Sequence, residues 1–193
     1  MNGRIRMIAF VLILASILTG ALTSVEAWTK PIIARNEALK IKRNVMAALE
    51  LDYEDAALEK TFADTVSVVE KEGRTFYVTD DKTVAFPING SGLWGPISGV
   101  LAVEPDGVTV KGITIVHQEE TPGLGSRIAE QAYLDKFRAK RLHQGIRITE
   151  EGKASGDNEV DGITGATLSC QAFARILNSE ASANLPGVKE IQQ

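Results

Sequence analysis

Hydrophobic and polar positions change their rhythm several times along this chain, and each change predicts an element. From Met7 to Val25 no side chain is charged; these 19 residues are close to the ~20 that a helix needs to span a bilayer core. Further on, Ile41, Val45, Ala48 and Leu49 recur at helical spacing, which predicts an amphipathic helix from about Pro31 to Leu51. Asp55 to Val68 reads as another short helix. Arg74–Val78 and Thr83–Ile88 then read as strands around the turn-like Asp80-Asp81. A hairpin follows, with Ile97–Val103 and Val108–His117 joined through Glu104-Pro105-Asp106-Gly107. In its second arm Val108 and Val110 share one parity while Ile113 and Ile115 share the other, so Lys111-Gly112 marks a β-bulge. Arg127–Lys140 reads as a helix with Ile128, Tyr133 and Phe137 facing inward, and Ile146–Ile148 as a short strand before a polar loop through Asp157. A last helical run begins at Leu168.

These elements predict an α+β fold in which an antiparallel sheet packs with helices, preceded by one N-terminal transmembrane helix. The division gives an anchor over 1–28, a helical stalk or lead-in over 29–72, and a globular domain over 73–193. Arg4 and Arg6 before the apolar run favour a cytoplasmic N-terminus, and Lys30 and Arg35 after it weaken the bias. Val25-Glu26-Ala27 resembles a signal-peptide cleavage site. The run is longer than a usual signal core, and Trp28 stands where an interfacial aromatic belongs, which favours a retained anchor. Either reading places the body of the protein on the extracytoplasmic side of the cytoplasmic membrane.

Composition narrows the chemistry. At 193 residues with 44% hydrophobic and 24% charged side chains, the chain can bury one sizeable core. A net charge of −4 gives no footprint for nucleic acid. Cys170 is the single cysteine, which excludes an internal disulfide, a Cys-x-x-Cys pair, a c-type haem attachment and a cysteine-ligated iron–sulfur cluster; its default reading is a small buried residue. With two histidines in all there is little to hold zinc, and no Gly-x-Ser-x-Gly elbow or His-Glu-x-x-His pair is present.

The most informative segment is Asp161-Gly162-Ile163-Thr164-Gly165-Ala166-Thr167. Gly162, Gly165 and Ala166 clear bulk from around Thr167, and the helical run after it places Thr167 at a helix N-terminus, where free N–H groups and the helix dipole favour a phosphate. The same residues also suit an ordinary turn with an N-cap. Gly90-Ser91-Gly92-Leu93-Trp94-Gly95 satisfies Gly-x-Gly-x-x-Gly, but Pro96 and a β-rich run follow where a dinucleotide fold requires a helix. It reads better as a tight turn that carries Trp94, either as half-buried core or as a surface for a planar ring. Glu119 and Glu120 read by themselves as solvated carboxylates and His117 as a strand-end residue.

Asp161 to Thr167 resembles the flavinylation motif of the FMN-binding domain family, found in NqrC of the sodium-pumping NADH:quinone oxidoreductase and in RnfG of the Rnf complex. Glu120-Thr121-Pro122-Gly123-Leu124-Gly125, preceded by His117, resembles that family's Glu-Thr-Pro-Gly-Leu-Gly loop. Gly92-Leu93-Trp94, followed by Gly99, resembles its Gly-Leu-Trp segment. The three motifs stand in the family's order between about Gly90 and Cys170. What the resemblance implies is covalent FMN, held as a phosphoester on Thr167 within a motif that includes Asp161, Thr164, Gly165 and Ala166. It implies that the loop from Glu120 lines the isoalloxazine, with Leu124 against the ring, Thr121 or a backbone N–H near its polar edge, and Trp94 bordering the same pocket. Asp161 would be part of what a separate flavin transferase, using FAD and a magnesium ion, recognises.

The implied role is electron transfer, relaying single electrons through a flavin semiquinone between other subunits of a membrane complex that couples electron flow to ion translocation. Such a protein carries electrons and is not a catalyst alone. Gly-Leu-Trp is more like the sodium-pumping relatives, while the short length and Thr-Gly-Ala-Thr are more like the Rnf relatives and tilt the expectation that way. Ser169 stands where some relatives have Thr. Two rival readings stay open: a free-standing exported flavin carrier, and an unmodified exported module that binds another small molecule.

Overall fold

A computed structural model describes residues 3–193, so Met1 and Asn2 of the expected anchor lie outside the described residues. Residues up to Lys40 form one compact unit and Ile41–Gln193 another.

Helix α1 runs unbroken over Gly3–Ala48, where the sequence pattern predicts an anchor and a separate stalk helix. Its most apolar 18-residue window has a mean hydropathy of 2.3 and none of it is buried, so α1 is long and apolar enough to cross a membrane. Four of its five hydroxyl side chains are satisfied locally: Ser16 donates to the Leu12 carbonyl, Thr23 to Thr19, Ser24 to Gly20 and Thr29 to Val25, each four residues back. That arrangement suits a solvent that offers no hydrogen bonds. Pro31 lies inside the helix and removes one rung of its ladder without ending it.

The second unit is built on a five-stranded antiparallel meander in the order β1-β2-β3-β4-β5. Its strands are β1 (Val66–Lys71), β2 (Arg74–Thr79), β3 (Val84–Ser91), β4 (Pro96–Val103) and β5 (Val110–Gln118). The stretch expected as one helix over 55–68 divides. Asp55–Ala57 is a 3-10 turn, α2 covers Leu58–Thr65, and β1 begins at Val66 to pair residue for residue with β2. The β-branched run Val66, Val68, Val69 prefers a pleated surface once a partner strand is there to receive it. Between β4 and β5 Ala102 faces Gly112 and Val103 faces Val110, which leaves Lys111 of β5 as the bulged residue that the parity switch indicates. A second irregularity lies between Ser98 and Gly99, opposite His117 and Ile115. An added Cβ on Gly112 would collide with the Ala48 carbonyl oxygen, so glycine lets the sheet approach that backbone closely.

The expected helix over 127–140 is broken into a 3-10 segment (Gly125–Ala129), a single turn α3 (Gln131–Leu134) and a further 3-10 turn (Asp135–Phe137). Ile128, Tyr133 and Phe137 are nonetheless all buried. Five residues of α-helix turn the chain roughly 140° past a full circle, so one straight helix could not aim both Ile128 and Tyr133 inward. The extended conformation of Glu130 (φ −68°, ψ 134°) resolves the conflict.

Strand β6 (Arg147–Thr149) pairs in parallel with β7 (Glu159–Asp161), a strand that lies just beyond the stretch read as polar loop. Helix α4 (Thr167–Gln192) closes the chain and lies against β3. The fit is tight: a Cβ on Gly90 would meet Ile176 at 2.6 Å, and one on Gly187 would meet the Phe76 ring at 3.1 Å. Phe173, Ile176, Leu177, Ala181, Leu185 and Val188 recur every three or four residues and are buried in the core beneath the sheet. Phe137 stands edge-on to both Tyr133 and Phe173, with centroids 5.4 and 5.5 Å away. Burying a Phe of this kind stabilises the fold by about 1.5–3 kcal/mol, which ties the first turns of α4 to a rigid base.

Candidate functional site

The segment from β7 to α4 is a tight, fully determined turn. Gly162 donates to the Thr149 carbonyl at 2.9 Å, and a Cβ there would lie a tight 3.0 Å from the same oxygen, so glycine eases the close approach of β6 and the turn. Gly165 has φ +85°, a left-handed conformation that costs other residues strain. Ala166 then donates to the Ile163 carbonyl at 2.9 Å, and both side chains are buried as anchors. Helix α4 starts at Thr167 with Ala166 as its cap residue and no side-chain cap. The Thr167 side chain is exposed and is not spent on capping, so the turn-and-N-cap alternative leaves its hydroxyl unexplained. The first N–H groups of a helix have no partner inside it, and the dipole there is positive.

Two polar residues of the motif hold its approach. Asp161 accepts hydrogen bonds from the backbone of Ala154 at 2.8 Å and Lys153 at 3.0 Å, and these bonds, the Ala154 amide first, hold its carboxyl below the ordinary range. Thr164 donates its hydroxyl to Glu151 at 2.6 Å and so depresses the Glu151 carboxyl. Both therefore lace the turn to the 149–154 loop.

A groove of about 380 Å³ opens beside Thr167. Leu93 and Trp94 come from the β3–β4 turn, Thr121, Leu124 and Gly125 from the loop after β5, and Gly165 through Ser169 from the turn into α4 and its first residues. Among the described residues outside α1, five large apolar side chains are left exposed, and four of them border this groove: Leu93, Trp94, Leu124 and Leu168. Trp94 is 73% exposed, which removes the half-buried-core reading. Thr167 and Gly165 also line an adjoining cleft of about 280 Å³ with Ile148, Glu150, Glu151, Thr164 and Gln171. In the loop after β5, Gly123 is left-handed (φ +74°), and the Thr121 carbonyl accepts from Leu124 and Ser126 at 3.2 and 3.1 Å.

Glu120 is not a solvated carboxylate: only 4% of it is exposed. Its Oε1 accepts from the backbone N–H of Leu93 at 2.6 Å and of Trp94 at 3.2 Å, and its Oε2 accepts from the Ser169 hydroxyl at 2.7 Å. One carboxylate thus joins the loop after β5 to the Gly-Leu-Trp turn and to the first turn of α4, just beyond Thr167. A Cβ on Gly92 would collide with Oε1 and one on Gly125 would stand 2.8 Å from Oε2, so these two glycines make room for it. The family resemblance marks Ser169 only as a position where some relatives have Thr; its burial at the groove wall against Glu120 gives it a role that the resemblance does not show. Glu119 matches the solvated reading, exposed and 3.1 Å from an equally exposed His117. Of the residues singled out in the sequence, Thr164, Gly165, Ala166, Thr167, Trp94, Thr121 and Leu124 line the two clefts, while Glu120 and Asp161 stand behind them.

An exposed hydroxyl at a helix start, flanked by exposed apolar side chains in a groove of this size, fits a planar aromatic group carried on a phosphate. Residues 92–181, which contain every one of these groups, match the model of the FMN-binding domain family. The chain is similar to NqrC of the Na(+)-translocating NADH-quinone reductase. It is 33% identical to the protein of Pasteurella multocida over 141 residues, 68% of this chain and 52% of the relative, and 40% identical to that of Neisseria meningitidis over 90 residues, 44% and 35% respectively. It thus spans about a third to a half of the length of these curated relatives. The crystal structure of Shewanella oneidensis NqrC shares the fold, with a TM-score of 0.70 and 20% identity over 81% of this chain and 99% of that one. So does the corresponding protein of Parabacteroides distasonis, with a TM-score of 0.72 and 20% identity over 82% and 96%.

Proposed function

We propose that this chain is a covalently flavinylated electron-transfer subunit of a membrane ion-translocating oxidoreductase. FMN is carried as a phosphoester on the Thr167 hydroxyl, and the soluble domain stands on the extracytoplasmic face of the cytoplasmic membrane, anchored by α1. The observation that carries the reading is the gathering of Leu93, Trp94, Leu124 and Leu168, all exposed, around an exposed threonine at the start of a 26-residue helix. Trp94, Leu124 and Leu168 provide apolar walls for the ring, Thr121 a polar group at its margin, and the free N–H groups of the first α4 turn donors for the phosphate. Bound FMN supplies reversible uptake and release of electrons; the chain's own residues fix its position and exclude water. Attachment calls for a flavin transferase as a maturation partner, with Asp161 and Thr164 holding the turn in the form presented to it. The similarity to NqrC supports a place within a sodium-translocating NADH-quinone reductase, against the tilt towards Rnf that length alone suggests.

A free-standing flavin carrier shares every one of these features and differs only in lacking membrane redox partners, so copurification separates the two. The function itself is tested by coexpressing the full chain with a flavin transferase, denaturing it and viewing the gel under ultraviolet light. A fluorescent band at the mass of this chain is expected. A dark band, with the transferase active on a control substrate, would favour an unmodified binding module.

A further inference from the structure

We propose that Glu120 is a positioning residue for the flavin: its buried carboxylate fixes the walls of the Thr167 groove in advance and sets behind them a negative charge that holds the flavin potential down. The inference rests on the reading that this groove receives flavin.

The geometry makes the first half of the case. Each of the three donors to Glu120, the Leu93 and Trp94 amides and the Ser169 hydroxyl, belongs to a residue that lines the groove. The Glu120 amide is itself held by the Gln118 side chain at 2.6 Å. A single side chain therefore ties the β3–β4 turn to the first turn of α4, from inside the protein, with Trp94 free to lie on the surface. Exposed walls of this kind, in a turn rich in glycine, would wander without such a brace.

The second half follows from charge. Three groups donate to the two oxygens and all three are neutral, an arrangement that suits an acceptor-only carboxylate, and among the described residues no cationic side chain is paired with it. In a poorly polarisable interior such a charge acts over several ångströms with little screening. Any gain of electrons in the adjoining groove is then disfavoured relative to a neutral residue at position 120.

Glu120→Gln separates the two effects, because the amide keeps the shape and can still accept from the two backbone N–H groups, while Ser169 can turn to accept from the new amide. The full chain in detergent, coexpressed with a flavin transferase that uses FAD, is compared as wild type, E120Q and Ser169→Ala. Covalent flavin is verified by mass in each case; a wild type that takes up none refutes the flavin reading of the groove rather than the role of Glu120. With flavin on all three, E120Q is expected to melt close to wild type and to show a midpoint potential shifted in the positive direction. Ser169→Ala removes a donor and leaves the charge less neutralised, so its potential should move the opposite way, with brighter flavin fluorescence as one wall loosens. A wild-type potential in E120Q overturns the charge role. If E120Q does not fold, a wild-type potential and fluorescence in Ser169→Ala overturn the proposal.

Discussion

The Ser169 hydroxyl donates to Glu120 Oε2 at 2.7 Å and so joins two residues 49 positions apart in the chain, both of them buried. The other oxygen of the same carboxylate holds the backbone of Leu93 and Trp94. Two of the glycine-containing motifs and the helix turn that follows the third are thus parts of one brace, and the groove beside Thr167 is shaped by it.

Thr167→Ala should abolish covalent flavin and leave the fold intact. The side chain is exposed, makes no cap, and its loss falls among surface changes that shift stability by about 0.5 kcal/mol or less. Gel fluorescence and thermal melting of the purified variant check both halves; covalent flavin retained in T167A would refute the acceptor assignment.

Gly165→Ala tests the turn rather than the hydroxyl. An added Cβ would touch Leu124 only at an ordinary 3.6 Å, so the cost comes from the left-handed backbone at φ +85° and should be about 1–2 kcal/mol by chemical denaturation. Flavin attachment should fall in parallel as the hydroxyl loses its fixed presentation. Unchanged stability would show that the backbone relaxes freely there.

Asp161 carries a pH signature. Hydrogen bonds from Ala154 and Lys153 depress its folded-state carboxyl below the ordinary 3.8, so the stability it contributes is present at neutral pH and lost as the pH falls through that depressed value. Between about pH 5 and pH 2, wild type should therefore lose more stability than Asp161→Asn, and the two curves should converge on the acid side. Curves that stay parallel would mean that the Asp161 bonds contribute nothing to folding. Glu151 and Glu159 are depressed in the same direction, which is why the comparison is made against the single variant.

Leu124→Ala and Trp94→Ala should leave attachment in place, since neither residue touches the acceptor chemistry, but shift the flavin absorption spectrum or potential. An unchanged spectrum and potential in both variants would count against the groove as the flavin pocket.

Much of this fold is legible in the sequence. The β5 bulge at Lys111 shows as a switch of parity, and Ile128, Tyr133 and Phe137 show as inward residues although no single helix carries them. Local spacing reports which side chains go inside, whereas the break at Glu130 is a consequence of where they must meet. The strand expected over Ile146–Ile148 is β6, but β1 and β7 escape for the same reason: short strands owe their existence to partners distant in sequence. At the site, Thr167 is readable because glycine turns and helix starts have local signatures. Glu120 reads as solvated from its neighbours in sequence because only tertiary packing brings Leu93, Trp94 and Ser169 to it.

Peptide mapping of the full chain, coexpressed with a flavin transferase and analysed by mass spectrometry, tests the central claim most directly. The account predicts that the peptide containing Thr167 carries one added FMN, with the fragment ions assigning it to that hydroxyl. An unmodified Thr167 peptide, from a culture in which the transferase flavinylates a control protein, would contradict it.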